Sequence, residues 1–278
     1  MVAGTGNNPK KGDKAMKQLN SLALVITLLV AGTGTVQAQA AEEAEERIVP
    51  RNEFGHISFA GTPDHPGNWN GLLGSLANRN PNQRGNIPEN LPYDEVPFLP
   101  WAKELHAQRL TEGGASDPHT RCKPSGGARM FHTPYGLEIL DTGDQVFIIG
   151  VGSPHSWRQI FMDGREHPAD LEPGWYGHSV GHWEGDTLVV DTVGFLGDDK
   201  FWITRDGYPH TEQLLTIERF SRPDFDTLRY EMTIDDPGAY SQQWTGGWFL
   251  TFGDGNEPFD YLCQENNLDP IRMLGTDQ

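Results

Sequence analysis

The sequence predicts an all-β domain with mainly antiparallel strands, a barrel or a sandwich, which follows a loop-rich N-terminal region with one short helix. Two observations lead to this fold class. After Met130, short runs of β-branched and aromatic residues recur between turn residues. In Leu228–Ile234, apolar side chains occupy every second position, which is typical of a strand with one buried face. Many short strands at close spacing favour a single β domain.

Residues 1–40 form an N-terminal extension with the features of a secretory signal peptide. Four lysines precede an apolar run at Leu22–Ala31, and small residues follow up to Ala38 and Ala40. This order predicts export to the periplasm or the medium, with cleavage near Ala38 or Ala40. The apolar core has about ten residues and a bilayer span needs about twenty, so we expect no stable membrane insertion after cleavage.

Residues 41–120 are predicted to be the loop-rich region. Gly, Pro and Asn are frequent in Arg51–Tyr93, where His65–Trp69 offers one short strand. Trp101–Leu110 has a helical pattern of apolar residues and is followed by a glycine pair, which predicts one short helix.

Residues 121–278 carry the predicted antiparallel β core. The predicted strands are Gly136–Leu140, Gln145–Val151, Trp157–Met162, Thr187–Val193, Leu214–Phe220 and Thr227–Ile234. Tight turns are predicted at Thr142-Gly143-Asp144, Asp163-Gly164 and Glu184-Gly185-Asp186. Of these, Asp163-Gly164 is the strongest signal for a two-residue hairpin.

The charge and the cysteines limit the function classes. The formal net charge is −18, and loss of residues 1–40, which hold four lysines and one aspartate, makes it more negative. Such a surface repels phosphate backbones, so nucleic acid is excluded as an expected partner. Cys122 and Cys263 are the two cysteines of the chain, and in an oxidising compartment they predict one disulfide.

The segment Trp175–Phe195 holds the densest set of reactive side chains. Its residues Gly177–Gly181 match the G-x-S-x-G pattern of serine hydrolases, with Ser179 at the nucleophile position. The α/β-hydrolase elbow needs a helix after the serine, whereas a turn and a strand follow here. An α/β-hydrolase is therefore disfavoured, and a Ser179 nucleophile on another fold remains as a hypothesis.

Strand geometry constrains that hypothesis further. If His178–Trp183 is extended, His178 and His182 share one face and Ser179 lies on the other. The base then comes from elsewhere, with His155, His132 and His210 as candidates, or a bulge at a neighbouring glycine re-aims the side chains.

The leading interpretation is a secreted hydrolase that acts on an ester or lactone of a small molecule. Its candidate catalytic residues are Ser179 as nucleophile, His155 or His178 as base, Asp186 or Asp191 as orienting carboxylate, and Glu184. Backbone N–H groups near Gly177 and Gly181 are expected to stabilise the oxyanion.

Two other interpretations share the same segment. One is a non-catalytic ligand-binding barrel, whose candidate binding residues are Trp175, Tyr176, His182, Trp183 and Arg158. The other is a glycan-acting enzyme in which aromatic faces hold a sugar and paired carboxylates cleave it. Its candidates are Trp175, Tyr176, Trp183, Trp202, Trp244, Trp248, Glu184, Asp186 and Glu212. The expected partner is thus a small-molecule or glycan ligand.

No cofactor is predicted, and a divalent metal, Ca²⁺ or Zn²⁺, is left open. His178 and His182 lie about 13 Å apart on an extended strand, so one ion cannot bind both. A metal site needs ligands from several strands, for example His155, His178 and Asp186.

Several motifs resemble a large, uncharacterised family of exported bacterial proteins. They are Met162-Asp163-Gly164-Arg165, the G-x-S-x-G-x-W-E-G-D-T-L-V-V-D-T-x-G-F run at 177–195, and the Cys263-Gln264-Glu265-Asn266-Asn267 ending. The resemblance implies export and a common β fold, and it implies no activity. His182 departs from it, since the family pattern has Arg or Lys at that position.

Overall fold

In the computed structural model, nine strands of the described residues form one sheet that closes on itself as a barrel. The structure describes residues 47–71, 74–80, 83–132, 135–150, 157–257, 259, 261–265, 267–268 and 272. These residues belong to one compact unit, Glu46–Gln278. The predicted signal peptide and His155 lie outside the described residues.

The strands follow one another around the barrel in chain order. They are β1 Gly67–Asn70, β2 Leu137–Asp141, β3 Gln145–Gly150, β4 Trp157–Phe161, β5 His178–Glu184, β6 Thr187–Val193, β7 Leu215–Asp224, β8 Thr227–Asp235 and β9 Trp244–Asp254. One α-helix, α1, spans Pro100–Thr111, and 3₁₀ turns cover Tyr93–Glu95, Pro118–Arg121 and Gly127–His132. The barrel closes because β1 pairs with both β2 and β9.

One junction of the barrel differs from the others. Eight strand pairs are antiparallel, whereas β4 and β5 run parallel and pair only at Ile160–Ser179 and Phe161–Val180. A parallel pair needs a crossover, and here residues 162–177 leave the end of β4 and return to the start of β5. We call this junction the β4–β5 seam.

The predicted all-β class is confirmed, and the closed sheet selects the barrel over the sandwich. The predicted helix is confirmed at Pro100–Thr111, and the turns around Gly143 and Gly185 connect β2 to β3 and β5 to β6. The hairpin prediction at Asp163-Gly164 is wrong, because the strands on either side are parallel. There the Asp163 carboxylate accepts from the backbone N–H of Arg165, which makes a local turn inside the crossover.

The longest strand, β9, has no counterpart among the predicted strands. Two of its glycines, Gly246 and Gly247, interrupt the period-2 pattern that marks the other strands. They are required because neighbouring backbone passes very close. A Cβ on Gly246 would lie 1.9 Å from the carbonyl oxygen of Leu76, and one on Gly247 would lie 2.2 Å from that of Tyr230.

The core fills the lumen of the barrel. Inward residues of β7 and β8 alternate strictly with outward ones, and Phe220 and Tyr230 are fully buried. The 3₁₀ turn Gly127–His132 enters this space, and Phe131 packs on both rings with centroids 5.6 and 4.6 Å away.

A disulfide between Cys122 and Cys263 joins residues 141 positions apart, as predicted.

The close approach at Gly246 gives a test of the fold. We expect Gly246→Ala to lower the free energy of unfolding by about 2 kcal/mol or more, because the Leu76 backbone must move. The control is Gly174→Ala, whose added Cβ would have no neighbour closer than 3.9 Å. Urea denaturation measures both, and equal midpoints for the two variants would contradict the described packing.

Candidate functional site

A buried polar network crosses the lumen and starts at Arg158 on β4. Arg158 occupies an inward position and is 2% exposed. Its Nε donates to Ser179 Oγ at 3.0 Å, and its Nη2 donates to Thr192 Oγ1 at 2.7 Å. The guanidinium also binds both oxygens of Glu218 on β7, with 2.9 Å between Nη1 and Oε1. This bidentate pair belongs to the charge-assisted class of hydrogen bonds, which are stronger than neutral ones.

The partners of Arg158 and Glu218 complete the network. The hydroxyl of Tyr230 donates to Glu218 Oε1 at 2.8 Å, and Ser179 Oγ and Thr192 Oγ1 lie 3.0 Å apart. Burial by itself lowers the pKa of Arg158, but the adjacent Glu218 carboxylate raises it above its ordinary value. Burial raises the pKa of Tyr230 well above its ordinary value. The network therefore holds one compensated ion pair and a neutral phenol.

Ser179 belongs to this network and is 1% exposed. Among the described residues, its hydroxyl has Arg158 and Thr192 as hydrogen-bond partners, and neither can act as a general base. His178 lies on the opposite face of β5, as strand geometry predicts. The geometry does not support a Ser179 nucleophile activated by His178.

The other candidate bases lie apart from Ser179. His210 Nε2 is 3.0 Å from the carbonyl oxygen of Phe201. His132 stacks on Trp248 at 4.2 Å, and burial lowers its pKa to about 4. His155 is outside the described residues, so its proposed role stays a prediction.

The two glycines of the G-x-S-x-G match have packing roles. Gly177 has φ +63°, and an added Cβ would lie 2.5 Å from the carbonyl oxygen of Val193. A Cβ on Gly181 would lie 2.8 Å from the sulfur of Met162. Positive φ and close approach both favour glycine, so the motif is explained without an oxyanion hole.

A second polar group lies on the outer face of β5. Nδ1 of His178 is 2.7 Å from Nδ1 of His167, and Nε2 of His167 is 3.1 Å from Asp191 Oδ1. His178 also stacks on Phe161 with centroids 5.2 Å apart. Partial burial lowers the pKa of His178, and the neighbouring His167 and Arg165 lower it further. We call Asp191, His167 and His178 the histidine chain.

A pocket of about 360 Å³ lies at the β4–β5 seam. It is lined by Pro124, Trp157, Arg158, Gln159, Phe161, Trp175, Tyr176, Gly177, His178 and Ser179. Aromatic rings form much of this lining, and it includes both Arg158 and Ser179 from the lumen network and His178 from the histidine chain. We call this space the seam pocket.

Five predicted site residues thus line the seam pocket, namely Arg158, Trp175, Tyr176, His178 and Ser179. The structure adds Trp157 and Phe161 to the lining, and His167, Thr192 and Glu218 to the two polar groups. None of these five was a candidate from the sequence.

Of the other predicted residues, Asp191 belongs to the histidine chain, whereas His182, Glu184 and Asp186 lie at the far end of β5 and β6. Asp186 forms a bidentate ion pair with Arg51 at 2.8 and 2.9 Å, and this contact lowers the pKa of Asp186. Glu184 accepts from Arg219 at 2.8 Å and lies 3.2 Å from His182 Nε2. These contacts, Arg219 first, lower the pKa of Glu184.

The glycan-cleaving arrangement is not supported by these positions. Glu184 and Asp186 are engaged by arginines, and neither lines the seam pocket. Trp183 stacks on His56 at 4.4 Å. Trp202, Trp244 and Trp248 are buried in the core, and Glu212 is exposed and does not line the seam pocket.

The described residues provide no set of ligands for the metal site that the sequence left open. In the part of the chain that the structure describes, no cluster of three or more His, Cys, Asp or Glu side chains is arranged to hold an ion. His178 and Asp186 have separate partners, His167 and Arg51.

A second pocket, of about 270 Å³, is polar. It is lined by Gly74, Arg79, Arg109, Leu110, Gly113, Gly114, His132, Arg205 and Asp206. Arg79 pairs with Asp206 at 2.8 Å, and Arg109 pairs with Asp198 and packs over Trp202. We call it the arginine pocket.

The helices of the described residues are all too short or too polar to span a lipid bilayer.

No protein-family model, curated protein or solved structure matches the chain. Functional inference therefore depends on the geometry of the seam.

The buried ion pair gives a test of the lumen network. Glu218→Gln leaves the Arg158 charge without its counter-charge, and we expect it to lower the free energy of unfolding by about 3–5 kcal/mol. The double change Arg158→Met with Glu218→Leu removes both charges, so we expect a smaller loss.

The matched control is Glu231→Gln on β8, which removes a partly exposed pair with Arg229 and should cost about 1 kcal/mol or less. Urea denaturation of the four proteins compares them. A Glu218→Gln variant as stable as wild type would show that the pair is not a structural requirement.

Proposed function

We propose that the protein binds a small, uncharged molecule with an aromatic or similarly flat apolar body in the seam pocket. The observation that carries this proposal is the lining itself, in which four aromatic side chains surround about 360 Å³ beside a few polar groups. They are Trp157, Phe161, Trp175 and Tyr176. Small-molecule sites are typically concave, mostly apolar and supplied with few polar groups, and their volumes begin near this value.

The exposure of Trp157 supports a ligand that covers it. This side chain starts β4 and is 56% exposed, although a tryptophan stabilises a protein most when its ring is buried. Tilted contact with Phe147, at 6.5 Å between centroids, leaves most of its surface uncovered. A flat ligand in the seam pocket gains dispersion and hydrophobic energy from the same ring.

The charges around the pocket favour an uncharged ligand. Among the described residues that line it there is no Asp or Glu, and the charge of Arg158 is compensated by Glu218. A cation would therefore find no counter-charge in the lining. An anion would be repelled by the net charge of the chain, which is −18.

Binding without catalysis accounts for the contacts better than the serine hydrolase does. The Ser179 hydroxyl accepts from a guanidinium and has no base beside it among the described residues. In the binding proposal, Ser179 and Arg158 give the pocket a rigid polar floor, and the histidine chain supplies a hydrogen-bonding group at its edge.

We further propose that the protein works after export, in the periplasm or outside the cell. The lysines and apolar run of residues 1–40 support a signal peptide. The Cys122–Cys263 disulfide supports an oxidising compartment. The resemblance to exported bacterial proteins at residues 160–195 agrees with both.

Binding of 2-methoxynaphthalene, a neutral aromatic probe, tests the proposed function. We expect saturable binding by the wild-type protein in a ligand-observed NMR titration. Trp157→Ala and Trp175→Ala should each weaken it about tenfold, which corresponds to about 1.4 kcal/mol. Each variant removes one aromatic ring of the pocket lining and leaves the lumen network intact.

The matched control is Trp101→Ala, which removes a 42% exposed tryptophan on α1 that does not line the seam pocket. Its affinity should equal that of wild type. Equal loss in all three variants, or no saturable binding by wild type, would overturn the proposal.

A further inference from the structure

The histidine chain controls which hydrogen bond His178 can offer in the seam pocket. Its Nδ1 is occupied by His167, and its Nε2 has no hydrogen-bond partner among the described residues. His178 lines the pocket, so Nε2 is the nitrogen left for a ligand.

The state of Nε2 follows from the order of donors and acceptors. A carboxylate at neutral pH only accepts, so the Nε2 of His167, which faces Asp191, carries a proton. In the tautomer with its proton on Nε2, the Nδ1 of His167 is bare and accepts from Nδ1–H of His178. Neutral His178 is left with a bare Nε2. The histidine chain thus makes His178 a hydrogen-bond acceptor toward the pocket.

The groups around His178 preserve this neutral state. Partial burial and the positive charge of Arg165 lower the pKa of His178, so it is neutral at neutral pH. Arg165 is held over Phe161 at 3.8 Å by its contact with Asp163. Asp191 acts on His178 only through His167.

We infer that the ligand of the seam pocket carries a hydroxyl group of phenolic or enolic type, which donates a hydrogen bond to Nε2 of His178. This inference rests on the proposed function, because it adds a polar group to an aromatic body already assigned to the pocket. A carboxylic acid does not fit, since it is an anion without a donor at neutral pH. A neutral hydroxyl donates to a bare imidazole nitrogen and adds no charge to the pocket.

The test compares 2-naphthol with 2-methoxynaphthalene, which has the same rings and no donor. The comparison is made at about pH 7.5, one unit above the ordinary histidine pKa of about 6.5. There we expect the wild-type protein to bind 2-naphthol about five- to tenfold more tightly than 2-methoxynaphthalene. His178→Phe keeps a ring beside Phe161 and removes Nε2. It should abolish the preference, so that the variant binds the two probes with equal affinity.

His167→Leu serves as a second variant, because it removes the positioning residue and leaves His178 in place. Without His167, Nε2 can carry the proton, so the preference for 2-naphthol should fall while 2-methoxynaphthalene still binds. Circular dichroism checks that both variants fold.

The pH dependence supplies an independent readout. As pH falls through the pKa of His178, which lies below its ordinary value, Nε2 gains a proton and can no longer accept. Affinity for 2-naphthol should therefore decline below about pH 6.5, and affinity for 2-methoxynaphthalene should stay constant.

The outcomes separate the two proposals. If neither probe binds, the proposed function fails, and this inference fails with it. If the wild-type protein binds both probes with equal affinity, the binding function stands and the hydroxyl inference is overturned. A preference that survives in His178→Phe also overturns it, because the hydroxyl then contacts another group.

Discussion

The ion pair between Arg158 and Glu218 is the interaction on which the rest of the barrel depends. Both side chains are buried, and a buried charge without its partner costs several kcal/mol. The pair ties β4 to β7 across the lumen, and Ser179 and Thr192 connect it to β5 and β6. This matters at the β4–β5 seam, where backbone pairing covers two residue pairs. Side chains help to hold the barrel closed at a junction with little backbone pairing.

The seam also creates the proposed binding site. Because β4 and β5 are parallel, the chain must cross over between them, and the crossover brings Trp175 and Tyr176 to the seam pocket and His167 beside His178 on β5. An antiparallel hairpin at Asp163-Gly164 would have left no such segment. The crossover between β4 and β5 interrupts the regular antiparallel order of strands. It is thus the segment that supplies Trp175 and Tyr176 to the pocket and His167 to the histidine chain.

The sequence predicted the fold well wherever alternation was clean, as in β8, and failed at β9, where Gly246 at an inward position and Gly247 at an outward one admit neighbouring backbone. The site was partly predictable. Arg158 and Glu218 stand at inward positions of alternating strands, and a charge at such a position requires a buried partner. His167 could not be found in this way, because it lies in a crossover with no periodicity. The G-x-S-x-G match was misleading, since packing explains its glycines.

A crystal structure of the protein with 2-naphthol tests the central claim most directly, namely that the seam pocket is the ligand site. The account predicts naphthol rings in contact with Trp157 and Trp175, and a hydroxyl oxygen within about 3.2 Å of His178 Nε2. Density for the ligand in the arginine pocket beside Arg79, with the seam pocket empty, would contradict it.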